Sequence, residues 1–279
     1  MKTRIIYEDD DVLVIRKPAG LATQTAKIGQ PDVVSKLKNY LSGSAYIGVV
    51  HRLDQPVEGL LVFAKNKKSA AELTRQLQDK SGQSSLNKHY YAVFCGKPEK
   101  PQGEFVDFIV KKKDNKAEII EVVTDKEEQN RNVWFEANNV LCENVDSRKG
   151  DEANSDGLLC RHDGHERNGK FPSEVKSAVL NYQVMKTIAA PGGEEISLAD
   201  VTIKTGRFHQ IRCQMAYHGM PLLGDRKYAD EKAVEVSAKL GVRSVALCAY
   251  QIEFFHPTTK RKMEFTIEPE GGIFSLFKA

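Results

Sequence analysis

Asp54 stands in a polar quartet, His51-Arg52-Leu53-Asp54, between Val49-Val50 and the apolar run Gly59-Leu60-Leu61-Val62-Phe63. A loop between two buried strands can present a carboxylate rigidly and still leave it reachable, which suits nucleophilic or proton-transfer chemistry. A lone Asp would serve equally to cap a turn or pair with an arginine, so a second cluster matters. It comes in TGRFHQIR, where Arg207, His209 and Arg212 open an expected helix, with positions 209 and 212 three apart on one face. An arginine there suits a carboxylate or phosphate, because its planar fork bonds bidentately. The neighbours Phe208, Ile211 and Met215 argue against a merely solvated face. A third cluster is Lys88-His89-Tyr90-Tyr91 on an expected strand, where adjacent tyrosines point to opposite faces, one to the core and one to a cleft. His51 reads as satisfying a local hydrogen bond, since no second metal ligand lies at helical or hairpin spacing. Cys142, Cys160, His162 and His165 make a poor zinc set, with the cysteines 160 − 142 = 18 positions apart in an unpatterned segment. No GxSxG elbow, GxGxxG or P-loop pattern occurs, so neither a serine hydrolase nor a nucleotide cofactor is expected.

The elements that must hold these residues are mostly strands. Arg4 to Glu8 alternates, and Val12 to Ile15 is a β-branched run set off by Asp9-Asp10-Asp11 and stopped by Pro18 and Gly20. Pro31 opens a short helix through Leu41; YIGVVHRLDQPVEGLLVFAK reads as strand, loop, strand; and Asn66 caps a helix whose face is Ala70, Leu73, Thr74 and Leu77. Further strands are expected over KHYYAVFCG, Gly103 to Val110, AVLNYQVMKTI, ISLADVTIKT, Val245 to Phe255 and Lys262 to Ile267. The helix RFHQIRCQMAYHG ends at Gly219. With many strands, few long helices and no βαβ rhythm, the pattern predicts an α+β fold around a largely antiparallel or mixed sheet.

Charge is uneven along the chain. Asp114 to Pro172 holds 8 Lys+Arg against 14 Asp+Glu, or −6, so the overall +3 leaves +9 on the rest. A basic body diluted by an acidic segment suits a polyanionic partner. That segment reads as a polar insertion at about 114–172 in a single domain covering 1–279. A strand is expected within Asn132 to Val140, and an unpatterned loop from Cys142 to Pro172. The longest apolar run, Leu60 to Ala64, is far short of the roughly 20 residues of a spanning helix. No secretory signal precedes the acidic MKTRIIYEDDD. The five cysteines are odd in number and form no CxxC pair. A cytoplasmic protein with reduced thiols, unattached to membrane, is expected.

The clusters together resemble the RluA-type RNA pseudouridine synthases. HRLDQPVEGLLVFAK is similar to that family's catalytic motif, RKPAGL to its amino-terminal motif, and KHYYAVFCG to its lysine-x-tyrosine strand. TGRFHQIR with GMPLLGDRKY is similar to its carboxy-terminal motif, and FFHP to its last signature. These matches run in family order from about Val12 to Phe265. The resemblance implies a large, mixed, mostly antiparallel bent sheet with flanking helices and a central active-site cleft. It also implies isomerisation of uridine to pseudouridine in ribosomal or transfer RNA, without a cofactor, by a chain lacking the small N-terminal RNA-binding domain of many relatives; nothing in the sequence demands more than a monomer. Asp54 matches the essential aspartate, Tyr90 the tyrosine that stacks on the target uracil, Arg212 the basic partner of the carboxylate, and Arg52 the arginine that displaces the target nucleotide. Leu60 or Ile211 would line the base pocket, while His51, Lys88, Arg207 and His209 would contact RNA. Lys65, Lys67, Lys68, Arg75 and Lys111 to Lys113 would hold phosphates. The chain departs from the family pattern at Gln214, Ala229 and Cys248.

Overall fold

The computed structural model describes residues 3–25, 29–43, 46–79, 85–124, 133–137, 140–144, 158–161 and 175–278. In chain order the elements are β1 (Arg4–Glu8), β2 (Val12–Lys17), α1 (Val33–Tyr40), β3 (Gly48–Val49), β4 (Glu58–Ala64) and α2 (Lys67–Gln78). Next come β5 (Asn87–Cys95), β6 (Gln102–Lys111), β7 (Ala117–Thr124), β8 (Val133–Ala137), β9 (Val140–Asn144), β10 (Leu158–Arg161), β11 (Lys176–Ala189) and β12 (Glu195–Ile203). The chain closes with α3 (Gln210–Tyr217), α4 (Glu231–Lys239), β13 (Leu247–Phe255), β14 (Lys262–Thr266) and a 3-10 turn, Gly272–Phe277.

The strands form one sheet in the order β1-β2-β4-β13-β5-β12-β11-β6-β7-β8-β9-β10, with β14 on β13 and β3 on β4. Every pairing among the described strands is antiparallel except β4 with β13, which couples Glu58 to Cys248 and Gly59 to Ala249. That pairing is close. Gly59 has φ +136°, and a Cβ on it would lie 2.5 Å from the Ala249 backbone nitrogen, so only glycine fits there. The junction fixes where β4 begins, and hence where the loop carrying Asp54 enters the sheet.

Strand alternation sorts the core. Leu13, Ile15, Leu61, Phe63 and Tyr90 face one side with Leu37 of α1 and Met215 of α3. Val12, Val14, Leu60 and Val62 face the other with Leu73 of α2 and Phe254. Farther along that second side, Ala233 and Val236 of α4 pack with Ile273, Phe274 and Phe277 of the 3-10 turn. The α+β expectation therefore holds, as do most strand positions.

Four details differ from the sequence reading. Helix α3 starts at Gln210, because His209 takes left-handed backbone (φ +53°) and stops the helix extending back to Arg207. Helix α2 buries Ser69, Leu73 and Gln76 in place of the expected Thr74. The Gln76 side-chain amide donates to the Phe255 carbonyl (2.7 Å) and accepts from the Phe255 N–H (2.8 Å), so it completes the hydrogen bonding of β13. Helix α4, capped by Asp230, and the closing 3-10 turn were not anticipated.

The fourth difference concerns the segment 114–172. It holds β7, β8, β9 and β10, which extend the sheet, with Cys142 opposite Cys160 in the β9–β10 register. Its first strand belongs to the body, since Ala117 N–H donates to the Tyr228 hydroxyl. His162 and His165 of the discounted zinc set lie outside the described residues.

Candidate active site

The loop bearing Asp54 is clasped by the loop after β2. Thr23 Oγ1 donates to the Leu53 carbonyl (3.0 Å) and accepts from the Leu53 N–H (3.2 Å). Gly20 N–H donates to the Gln55 carbonyl (2.8 Å). Beneath both loops, Lys17 is wholly buried, and its ammonium donates to the carbonyls of Pro18 (3.0 Å), Leu21 (2.7 Å) and Gln55 (3.1 Å). Burial pulls this lysine down to about 7 against the opposing pull of Asp54 and Glu58. Three carbonyls use all three N–H groups of the ammonium. Asp54 is thus presented from a loop tied at several points.

The carboxylate meets Arg212, whose Nη1 donates to Asp54 Oδ2 at 3.1 Å. Arg212 is itself gripped by Asp225: Nε donates to Oδ2 and Nη2 to Oδ1, both at 2.7 Å. Asp225 is fully enclosed and also accepts the backbone N–H of Lys227 (2.9 Å). Burial opposes a charge on Arg212, but the Asp225 hydrogen bonds and the attraction of both carboxylates outweigh it and raise its pKa. A buried guanidinium held bidentately has little freedom left, so the direction of its remaining N–H groups, and with them Asp54, is set. Asp54 itself is about a quarter exposed. The cluster opens into a cleft of about 440 Å³ lined by His209, Arg212 and Gln55 and rimmed by Arg226, Lys227 and Arg243, a volume suited to one small ligand.

Tyr90 and Ile211 lie with Leu53, Val57 and Leu61 in the buried cluster on this side of the sheet. Burial first, then the Asp54 charge, raises the Tyr90 phenol pKa. His209 Nε2 lies 3.8 Å from Asp54 Oδ2, and burial lowers this histidine to about 4. Arg52 is exposed at the mouth of the loop. Asp54, Tyr90, Arg212, His209 and Ile211 are therefore brought to one side of the sheet, with Arg52 projecting from the same loop.

Other expectations fail on placement. Leu60 packs with Val12, Val14 and Phe254 on the side of the sheet away from Tyr90 and Ile211, whereas its neighbour Leu61 packs in the cluster that holds them. His51 does not reach the cleft. It is buried and its Nε2 accepts the Val62 N–H (3.2 Å), while its Nδ1 has no partner among the described residues. Burial first, then the charge of Lys88, holds its pKa well below the usual imidazole value. Lys88 is half-buried near His51 and makes no hydrogen bond to Asp54; burial lowers it to about 8. Arg207 is half-buried and donates from Nε to the Ser177 carbonyl (2.8 Å), which ties it to β11. Lys65 and Arg75 are engaged by Glu8 and Glu72.

Asp225, Tyr228, Lys17 and Thr23 were not read as site residues. The stretch GDRKY and the stretch RKPAGL held the signal, but their link to Asp54 is tertiary and leaves no periodicity.

The first comparison with known proteins concerns the family model for RNA pseudouridylate synthase, which matches residues 11–217 and so spans every one of these clusters before Asp225. The ribosomal large subunit pseudouridine synthase C of Rickettsia bellii is 30% identical over 233 residues, 84% of this chain and 59% of the relative. The dual-specificity RNA pseudouridine synthase RluA of Vibrio parahaemolyticus is 28% identical over 99% of this chain and 89% of its own length. The chain thus spans less than two thirds of the Rickettsia relative. Among solved structures, human RNA pseudouridylate synthase domain containing 4 superposes with a TM-score of 0.64 at 21% identity, over 99% of this chain and 92% of that one, a likeness of fold. The family match, the ordered motifs and the shared fold agree, and the chain belongs to the RNA pseudouridylate synthase family, on its RluA-type branch.

Proposed function

We propose that this protein converts uridine to pseudouridine in RNA, with Asp54 as the catalytic carboxylate. The observation that carries the reading is the chain of contacts Asp225–Arg212–Asp54, in which the middle member, Arg212, lines the cleft. Isomerisation breaks the glycosidic nitrogen–carbon bond, turns the uracil while it is held, and rejoins it through carbon 5. No electrons are exchanged and no group is donated, so the side chains must do all the work. Asp54 acts either on the sugar or base as nucleophile or by drawing a proton from the sugar, and each route needs the anion that Arg212 stabilises.

The target base must leave its stack before it can reach Asp54, at a cost of a few kcal/mol. Stacking on Tyr90 returns roughly 1–3 kcal/mol, and Arg52 fills the gap left behind. Leu53, Val57, Leu61 and Ile211 supply an apolar wall that keeps water from the detached ring. The exposed cations Arg226, Lys227 and Arg243 meet the phosphates on either side. The substrate is proposed to be ribosomal RNA, as the name of the Rickettsia large-subunit relative suggests, and the working unit a monomer.

Mapping pseudouridines in total RNA from a strain lacking the gene against its parent tests the proposal. The expected result is loss of one or a few sites in large-subunit ribosomal RNA, restored by the wild-type gene. Loss confined to transfer RNA would correct the substrate. No loss at any site would favour an RNA-binding protein that keeps the fold without the chemistry.

A further inference from the structure

His209 carries left-handed backbone at φ +53° without being glycine, asparagine or aspartate, and its side chain makes no capping bond to α3. Left-handed backbone is strained for a residue with a Cβ, and residues held in it cluster at functional sites. The ring is aimed by three neighbours. Phe208 stacks on it at 3.8 Å with planes 20° apart. Tyr228 meets it edge-on, at 5.6 Å and 88°. The Tyr228 hydroxyl lies 2.8 Å from His209 Nδ1.

The same hydroxyl oxygen accepts the backbone N–H of Ala117 at 2.6 Å. Its own proton is then left to donate, and Nδ1 is the acceptor it has among the described residues. Burial pushes this phenol up to about 12, so it stays protonated. A ring that accepts at Nδ1 carries its proton on Nε2 when neutral. Nε2 is the atom facing Asp54 Oδ2, and 3.8 Å is too long for a hydrogen bond between them. The N–H therefore remains open to an oxygen lodged beside the carboxylate.

We propose that Tyr228 is a positioning residue that holds His209 as its Nε2–H tautomer, so that an N–H donor stands next to Asp54 and binds an oxygen of the target nucleoside. This rests on Asp54 being the catalytic carboxylate. His209 is then a substrate-contacting donor, and β7 has a part in the site through Ala117.

The test combines ring-nitrogen NMR of the full-length protein, labelled with ¹⁵N-histidine, and kinetics of His209→Gln, His209→Asn and Tyr228→Phe. The wild-type spectrum is expected to show His209 protonated at Nε2, and Tyr228→Phe to move it toward a mixture with Nδ1–H. Glutamine can place an amide N–H where Nε2 stood, whereas asparagine reaches only the Nδ1 position. Asparagine, however, is among the residues other than glycine that best accept left-handed backbone. The proposal expects Gln to keep at least about tenfold more kcat than Asn, and Tyr228→Phe to lose about tenfold in kcat with KM changed far less. An Nδ1–H tautomer in the wild type would overturn it. So would Asn matching or exceeding Gln, since a role confined to backbone geometry predicts that order. The spectrum needs no RNA, so the tautomer is decided even for a protein that proves inactive, and the failure of this inference is told apart from the failure of the catalytic reading.

Discussion

At the scale of single residues, the site is a short ladder of charges in which each rung fixes the next: Asp225 holds Arg212, and Arg212 holds Asp54. The Asp54–Arg212 pairing was legible from residue types, because a loop carboxylate and a helix-borne guanidinium flanked by apolar side chains suit each other. Asp225 was not, since thirteen positions after Arg212 it stands in a turn whose meaning is only spatial.

Two histidines give this scale its pH dependence. His51 and His209 are buried with pKa values below the ordinary imidazole value, His209 at about 4. An unfolded chain protonates both near pH 6.5, whereas the folded protein keeps them neutral until the pH is well below that. Through these two groups the unfolded state binds more protons in this range, so their contribution to stability is complete above about pH 6.5 and is lost as the pH drops toward 4. Urea unfolding at pH 7.5, 6 and 5 should show a falling midpoint, with a shallower fall in His209→Gln. A midpoint that is flat across this range, or equally steep in the variant, would contradict the neutral buried state.

At the scale of elements, period-two alternation decides what a side chain can do. The run Leu60-Leu61 reads as a buried strand from sequence, but the sequence does not say which residue faces the site, because both sides of β4 are covered and no polar residue follows Glu58 in it to mark a face. The face was settled by β4 pairing with β13 through Gly59. Removing either side chain should destabilise the fold by about 2–5 kcal/mol, as large-to-small core changes do. Only Leu61→Ala should also raise KM or lower kcat in the fraction that remains folded, because Leu61 packs with Tyr90 and Ile211 while Leu60 packs with Phe254. Unfolding curves read beside kinetics at low temperature check this, and a catalytic defect confined to Leu60→Ala would restore the original assignment. The strands β9 and β10 were missed for a related reason: their segment is rich in charge and turn residues, which hides short strands from a periodicity argument.

At the scale of the whole molecule, the net charge of +3 conceals a basic body and an acidic segment. The exposed arginines 226 and 243 rim the cleft. If they meet phosphates, RNA affinity should fall steeply with salt, and each Arg→Ala change should weaken binding while lowering the slope of log K against log salt by about 1. Slopes unchanged in both variants would place the RNA elsewhere. The α+β class, the positions of most strands along the chain and the two halves of the site were readable because buried strands and motif clusters leave local patterns. The clasp of the Asp54 loop by Lys17 and Thr23 was not, because it joins loops with no pattern between them.

The most direct measurement is release of tritium from RNA labelled at uracil carbon 5, comparing the wild type with Asp54→Asn while RNA binding is followed in parallel. The asparagine has nearly the same shape, keeps an acceptor for Arg212 and lacks the charge. Release by the wild type, none by Asp54→Asn, and comparable RNA binding by both is the expected outcome. Release by Asp54→Asn at the wild-type rate would show that the chemistry does not depend on this carboxylate.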